Sequence, residues 1–257
     1  MKHNLKLSFD FAKRELKQKY VGTSFGEFWF ILSPIIMIFI YSVIFSDFMK
    51  MKMDIIDNTY AYSIYLIPGL LAWTSFSTMV TRLNISFFEK AALIKKINVP
   101  MYSLQFSILL VELFTFSISM MLGIIFLLLV KQPVTLEFLW LIPVMLIQVL
   151  FAFSLGVIFS LFTPFLKDLR EIIPILFQLW FWASPIIYVK TMISDKYPLL
   201  LELNPFYYFA DIYQNIFVFA KAPSFHSLVI ISLLAFFSTL IAAYLYKKMV
   251  STIKDII

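Results

Sequence analysis

The feature that most constrains this chain is a series of six uncharged, apolar runs. A helix needs about 20 residues to cross the roughly 30 Å of hydrocarbon in a bilayer. The runs are Phe28–Ser46, Asn58–Thr81, Leu113–Val130 with an apolar extension back to Ser103, Phe138–Leu166, Ile172–Val189 and Ala222–Tyr246. The alternating short segments typical of a β-barrel are absent from the sequence. The sequence therefore predicts an all-α membrane protein with six transmembrane helices.

The composition argues against an ordinary soluble enzyme. Apolar residues make up 61% of the chain and charged residues 14%, against about 45–50% and 25% in globular domains. The sequence has no Cys and only two His, which excludes disulfide and thiolate chemistry and gives no basis for a metal site. With five Gly and no Walker-type phosphate loop, the chain is not expected to bind ATP itself.

The distribution of Lys and Arg predicts the orientation in the membrane. Fifteen of these residues lie in the N-terminal tail, the loops after the second and fourth runs, and the C-terminus. Only six lie in the remaining loops. Because cytoplasmic loops carry the excess of basic residues, both termini are predicted to be cytoplasmic.

The first 26 residues are predicted to form an amphipathic helix on the cytoplasmic membrane surface. Apolar residues recur there at three- or four-residue steps among six basic residues. The apolar residues are Leu5, Phe9, Ala12, Leu16 and Tyr20. A flexible basic tail that only sets the topology is the alternative. Residues 27–250 are predicted to form the six-span domain, and residues 251–257 are predicted to form a cytoplasmic tail.

Two cytoplasmic loops, near residues 83–102 and 164–172, are candidates for contact with a partner protein. The first contains Asn84–Pro100, in which apolar residues alternate with charged ones. A short amphipathic helix there would suit docking, although a loop lying on the membrane would have the same pattern. In the second loop, Asp168 is predicted to cap a helix that begins at Leu169.

The fifth run and the segment after it are unusual. The run is short and contains Pro174 and Pro185. The following apolar piece, Pro205–Ala220, is interrupted by Asp211 and is too short to cross the membrane. We therefore predict a re-entrant hairpin on the outer side between spans five and six. Because interrupted segments at membrane depth often line a path, the hairpin favours transport. A partly buried external helix is the alternative.

Aromatic side chains provide a candidate substrate path. Tyr62, Tyr65, Trp73 and Phe76 share one helical face, and Trp182 and Tyr188 flank Pro185. Such rings can stack on sugars while their polar groups form hydrogen bonds. A packed helix interface is the alternative for each of them. Glu112 is the one acid well inside an apolar stretch. We expect it to form a structural ion pair or hydrogen bond, and a proton relay is the alternative.

Several segments together resemble the membrane subunit of ABC-2-type exporters of lipid-linked polysaccharide, the group that handles O-antigen, capsule and teichoic acid. The resemblance runs along the whole chain in order. The matching segments are Lys17–Tyr20 with Ser24, Gly26, Trp29 and Pro34, then Lys96–Pro100, Phe165–Leu169, Ser184–Tyr188 and Asn204–Pro205.

The resemblance implies a homodimer that assembles with two copies of a separate ABC ATPase, which binds ATP and Mg, so this chain would hold no cofactor. The implied substrate is a polyprenyl-linked glycan, and the implied location is the bacterial cytoplasmic (inner) membrane, among lipids and without nucleic acid. The residues expected to couple to the ATPase are Phe87, Phe88, Glu89, Lys95, Lys96, Asp168 and Arg170. The six aromatic residues named above are expected to line a channel between the protomers.

Other functions remain compatible with the same sequence. An ABC-2-type exporter of drugs or small lipids would have the same architecture. A membrane-embedded transferase acting on lipid-linked sugars would need acidic or His residues gathered at one membrane face, and the sequence shows no such group. A purely structural assembly subunit is disfavoured by the interrupted fifth run.

Overall fold

The computed structural model describes residues 2–18, 21–48, 58–96, 100–190 and 198–256. These residues are predominantly helical and contain no strand, which confirms the predicted all-α class. The α-helices are α1 (Lys2–Gln18), α2 (Trp29–Ser42), α3 (Ala61–Glu89), α4 (Ala91–Lys96), α5 (Met101–Leu129), α6 (Leu141–Phe162), α7 (Leu169–Ala183), α8 (Pro198–Glu202), α9 (Pro205–Phe219) and α10 (Phe225–Ile256). Short 3₁₀ turns precede α2 and α6, and a π-helical turn, Val43–Phe48, follows α2.

Five helical segments of the described chain are long and apolar enough to cross a bilayer. They are Gly26–Phe45, Ala61–Glu89, Met101–Leu129, Leu136–Phe162 and Phe225–Lys254. Each coincides with one of the predicted runs. The helix α3 continues past the predicted end of its run at Thr81, so Arg82 lies inside this helix and not in a loop.

The fifth predicted span is not one continuous helix. Helix α7 has 15 residues and is about 22 Å long at 1.5 Å per residue, less than the roughly 30 Å of hydrocarbon. It ends at Ala183, and Ser184 is extended with φ −102° and ψ 138°. The cause is Pro185, because proline disfavours the helical conformation in the residue before it.

Helix α3 is the centre of the fold. Its most apolar segment is 78% buried, and the helix packs against α5, α6, α7 and α9. Helix α3 approaches α6 closely at Gly156, where the absence of a side chain admits Leu83 of α3. Small residues allow membrane helices to approach in this way.

The predicted N-terminal helix is present as α1, which packs along α5. Its inner face buries Ser8 and Ala12, while Phe9 is 59% exposed. Lys19 and Tyr20, which were part of the predicted pattern, lie outside the described residues, as do Ile97, Asn98 and Val99 of the first loop.

A single side chain joins the end of α7 to the start of α9. The Asn204 amide donates to the carbonyl of Ala183 at 3.1 Å and to Ser184 Oγ at 3.0 Å. Its carbonyl accepts from the backbone N–H of Phe206 at 3.0 Å and from Trp180 Nε1 at 2.7 Å. Asn204 therefore caps the N-terminus of α9 and satisfies the C-terminal end of α7.

Candidate translocation path and coupling surface

The accessible face of α3 is polar. Between residues 61 and 83, all α3 side chains are buried except Thr74, Ser77, Thr78, Thr81 and Arg82. At 100° per residue these five fall within an arc of about 140°. We call Thr74, Ser77, Thr78 and Thr81 the hydroxyl stripe. By contrast, the large exposed side chains of α5, α6 and α10 are mostly apolar, as expected for surfaces that face lipid.

A cavity of about 160 Å³ lies on one side of the hydroxyl stripe, between α2, α3 and α5. Its hydroxyl-bearing residues are Ser33, Thr74, Ser75, Thr78, Thr115 and Ser119. Trp29 and the carboxylate-bearing Glu112 also line it. This volume has room for several water molecules.

An open groove of about 250 Å³ lies on the other side of the stripe, between α3 and α7. Trp73, Ser77, Thr78 and Thr81 line it from α3, and Pro174, Phe177 and Gln178 line it from α7. Thr78 borders both the cavity and the groove. The hydroxyl stripe is therefore reached from two sides and is flanked by α2 and α7.

The predicted channel residues Tyr62 and Tyr65 support the irregular backbone after α7. The Tyr62 hydroxyl donates to the carbonyl of Ile187. The Tyr65 hydroxyl is 3.0 Å from the carbonyl of Tyr188 and 3.3 Å from that of Pro185. Both tyrosine side chains are buried. Buried non-helical backbone needs hydrogen-bond partners, so the observed contacts of these two tyrosines are structural.

Trp73 and Phe76 lie in an aromatic cluster with α7 and α9. The ring centroids of Trp73 and Phe206 are 4.7 Å apart, and those of Phe76 and Trp180 are 5.4 Å apart. Both side chains are buried, with Phe76 fully inaccessible. Trp182 is 60% exposed on α7, and Tyr188 donates through its hydroxyl to the carbonyl of Trp182 at 2.9 Å. Substrate contact by these six aromatic residues stays a prediction.

An ion network joins α1, α3 and α5 at one end of the stripe. Arg82 pairs with Glu112 of α5 and with Glu15 of α1. The second oxygen of Glu15 accepts from Lys90 Nζ and from Ser107 Oγ, each at 3.0 Å. The expected structural ion pair of Glu112 is confirmed. Among the described residues, no group of three or more His, Cys, Asp or Glu is placed to hold a metal.

The two predicted coupling loops are held together by Asn84. Its side-chain amide donates to the carbonyl of Leu169 at 3.0 Å, and its side-chain oxygen accepts from the Thr163 hydroxyl. Asn84 is buried. Because Asn84 connects the two loops, a displacement of one loop is expected to displace the other.

A second contact between the loops involves predicted coupling residues. The guanidinium of Arg170 lies over the ring of Phe88 at 4.8 Å from its centroid. Phe87 is buried in a small core with Met101 and Leu161, so it supports the surface from beneath. Phe88 is partly exposed.

The remaining predicted coupling residues lie at the surface or in the short helix α4. Glu89 and Lys95 are exposed, and Lys96 is the last residue of α4. Asp168 occupies the N-cap position of α7, so the predicted start at Leu169 is confirmed, but its side chain makes no capping hydrogen bond. The structure thus brings Phe88 and Arg170 together, while a role for all seven residues in ATPase contact stays a prediction.

At the opposite end, the segment after α7 is tied to α9 by an ion pair. Lys190 Nζ is 2.6 Å from the carboxylate of Asp211. Burial lowers the pKa of Lys190, but the hydrogen bond and charge of Asp211 outweigh it and raise this pKa above its usual value. Asp211, which interrupts the apolar piece in the sequence, therefore anchors this segment.

Sequence reasoning missed the hydroxyl stripe, Asn84 and Glu15. A signal for the stripe was available, because Thr74, Ser77, Thr78 and Thr81 follow three- and four-residue steps. No comparable pattern marks Asn84, since its partners are a distant backbone carbonyl and a distant threonine.

The fold and the polar face of α3 define the class of this protein as a multi-pass, all-helical membrane protein with the features of a transport subunit. The family model described as "ABC-2 type transporter" matches residues 11–218. The chain belongs to the ABC-2 type transporter family, whose members supply the membrane subunit of a transporter.

Three curated relatives carry the name "O-antigen export system permease protein RfbA". Two are from Klebsiella pneumoniae, at 32% and 30% identity, and in both comparisons 210 residues cover 80% of this chain and 79% of the relative. The third, from Myxococcus xanthus, is 29% identical over 84% of this chain and 82% of the relative.

Proposed function

We propose that this chain is the membrane subunit of an ATP-driven exporter that moves a lipid-linked polysaccharide across the bacterial cytoplasmic membrane. Two copies would assemble with two copies of a separate ATPase, which holds ATP and Mg. The observation that carries the proposal is the hydroxyl stripe, the one accessible face of an otherwise buried central helix. The names of the relatives support O-antigen or a similar polymer as the substrate.

The proposed topology has six crossings, of which α7 and its extension form the fifth. Asn84 bonds the start of α7 at Leu169, and Tyr62 bonds the extended segment at Ile187. Asn84 and Tyr62 are 22 residues apart on the helix α3, which is about 33 Å. Helix α7 with its extension therefore runs along a length of α3 comparable to the hydrocarbon thickness of roughly 30 Å.

The position of α9 supports a re-entrant hairpin. Its first turn packs at the middle of α3, where Phe206 contacts Trp73 and Phe76. Near its other end, the carbonyl of Val218 accepts from Gln132, which follows α5. Helix α9 would then start near the membrane centre and end at the outer surface. The charge asymmetry described above supports a cytoplasmic position for both termini.

A homodimer would place two hydroxyl stripes across a shared path. The stripe is open between α2 and α7, and both helices carry exposed apolar side chains such as Phe39 and Leu179. These helices are suited to contact the second copy and to seal the path from lipid. A path between protomers offers a polymer more room than one bundle, and a symmetric dimer provides it.

The stripe has suitable chemistry for a sliding glycan. Thr81 donates its hydroxyl to the carbonyl of Ser77 at 2.8 Å, and Ser77 donates to that of Thr74 at 3.3 Å. Their oxygens can then accept hydrogen bonds from sugar hydroxyls. Each such bond contributes about 0.5–1.5 kcal/mol, so contacts are weak and exchangeable.

The test is export by the chain reconstituted with its ATPase. The variant Thr74→Val/Thr78→Val/Thr81→Val keeps side-chain shape and should lower polymer export about tenfold, because three weak hydrogen bonds are lost. The matched control is Ser117→Ala/Ser232→Ala, which removes exposed hydroxyls from α5 and α10 and should leave export unchanged. Equal export by the triple variant, or transport of drugs or small lipids without polymer, would contradict the proposal.

A further inference from the structure

We propose that Glu15 is a positioning residue that makes the N-terminal helix α1 move together with the cytoplasmic segment around α4. This inference rests on the proposed function, because it assigns to Glu15 a role in transmitting movement from the ATPase. The established family and the names of the relatives do not supply such a residue.

The geometry of Glu15 supports this role. One carboxylate oxygen pairs with Arg82, which lies beside the hydroxyl stripe on α3. The other accepts from Lys90 and from Ser107 of α5, each at 3.0 Å. A single carboxylate on α1 therefore contacts α3 at two positions, Arg82 and its C-cap Lys90, and α5 at Ser107. These are charge-assisted hydrogen bonds, which are the stronger class.

Lys90 is the link to the coupling segment. It is the C-cap residue of α3, and its carbonyl accepts the N–H groups of Leu93 and Ile94 at 3.0 and 2.9 Å. Its backbone thus starts α4 while its side chain holds Glu15. A push on α4 displaces Lys90 and, through Glu15, displaces α1.

The space between α1 and the segment around α4 is only partly filled. An open cavity of about 270 Å³ separates α1 from the end of α3 and the start of α4. Its lining includes Phe11, Arg14 and Glu15 of α1, together with Lys90 and Leu93. Apolar packing across this gap is therefore incomplete, and the ion contacts of Glu15 carry much of the connection.

The ion contacts of Glu15 can be removed while Glu112 of α5 keeps its partner. In Glu15→Gln, Arg82 keeps its pair with Glu112, so the costly loss of a partner for a buried charge is avoided. The matched control is Asp10→Asn, which neutralises an exposed carboxylate on the same helix.

The first experiment measures distances between spin labels in this naturally Cys-free chain, assembled with its ATPase. Cysteines replace the exposed residues Lys13 on α1, Ala92 on α4 and Lys248 on α10, two at a time in one protomer. Trapping the ATPase with ATP and vanadate should change the 92–248 distance and leave the 13–92 distance constant. In Glu15→Gln, the 13–92 distance should change as well. The same 13–92 behaviour in both proteins would overturn the inference.

The second experiment measures polymer exported per ATP hydrolysed. Glu15→Gln should assemble and hydrolyse ATP, but its export per ATP should fall about tenfold, within the range of typical coupling energies, while Asp10→Asn stays at the wild-type ratio. A wild-type ratio in Glu15→Gln would refute the inference. Failure of the wild-type complex to export polymer would instead refute the proposed function, and the spin-label result would still decide the role of Glu15.

Discussion

The guanidinium of Arg170 lies 4.8 Å from the ring centroid of Phe88. Phe88 lies in the last turn of α3 and Arg170 in the first turn of α7, and α4, α5 and α6 separate them in the sequence. Each residue belongs to one of the two predicted coupling loops. Asn84 fastens the same loops from beneath through its bonds to Thr163 and Leu169. The two loops thus form one surface, on which an ATPase would act at both loops together.

The first prediction concerns the Arg170–Phe88 contact. Arg170→Ala and Phe88→Leu should each lower ATP-driven export, and the double variant should be no worse than the more affected single variant. The reason is that both remove the same cation–π contact, of about 0.5–1 kcal/mol at an exposed site. Lys167→Ala, which removes an exposed cation from the same loop, is the control. Additive losses would show that the two side chains act separately.

The second prediction concerns Asn204. Asn204→Ala should destabilise the chain by about 2–3 kcal/mol, because it removes an N-cap and leaves buried polar groups of α7 without a partner. Asn204→Asp keeps the acceptor but loses both donated bonds, so its effect should be intermediate. Thermal unfolding in detergent measures this, with the partly buried Asn215→Ala of α9 as control. An Asn204→Ala protein that melts with the control would contradict the dual capping role.

The third prediction concerns the tight contact between α3 and α6 at Gly156. A Cβ at Gly156 would lie 2.5 and 2.7 Å from side-chain carbons of Leu83, whereas at Gly123 the nearest atom is 3.2 Å away. Gly156→Ala should therefore destabilise by about 1–3 kcal/mol through overpacking, and Gly123→Ala by less. Adding Leu83→Ala to Gly156→Ala should partly restore the lost stability. Equal melting temperatures of the two glycine variants would argue against this packing.

Much of the fold could be predicted from the sequence because hydrophobic length is a one-dimensional property. Five of the apolar runs form membrane-length helices, and the amphipathic residues near the N-terminus form α1. The ion pair of Glu112 was also predictable, since a carboxylate in an apolar stretch needs a partner. Arg82 could not be predicted as the partner of Glu112, because the sequence pattern assigned Arg82 to a loop.

The candidate path was harder to predict because α3 is buried on several sides. The spacing of Tyr62, Tyr65 and Trp73 marks a face, but it does not say whether that face meets substrate or protein. The structure places Tyr62 and Tyr65 against the backbone after α7. Ser and Thr spacing was equally ambiguous, since such side chains often bond to their own helix, as Thr81 does.

The central claim is that the hydroxyl stripe faces an aqueous path, and cysteine accessibility during turnover tests it most directly. Single cysteines at Thr74, Thr78 and Thr81 are compared with Met79, which is buried, and with Leu146 and Phe237, which lie on exposed apolar faces. Cysteines at Tyr65 and Trp73 test the separate prediction that the aromatic face lines the channel. Each variant is treated with a membrane-impermeant thiol reagent in the assembled complex.

The account predicts that the three stripe cysteines react during ATP turnover, while those at Met79, Leu146 and Phe237 do not. Water reaches the stripe through the path, and it reaches neither the protein core nor the lipid phase. Absence of labelling at Thr74, Thr78 and Thr81 in every nucleotide state, with the expected amount of assembled complex present, would contradict the claim that this face of α3 lines the path.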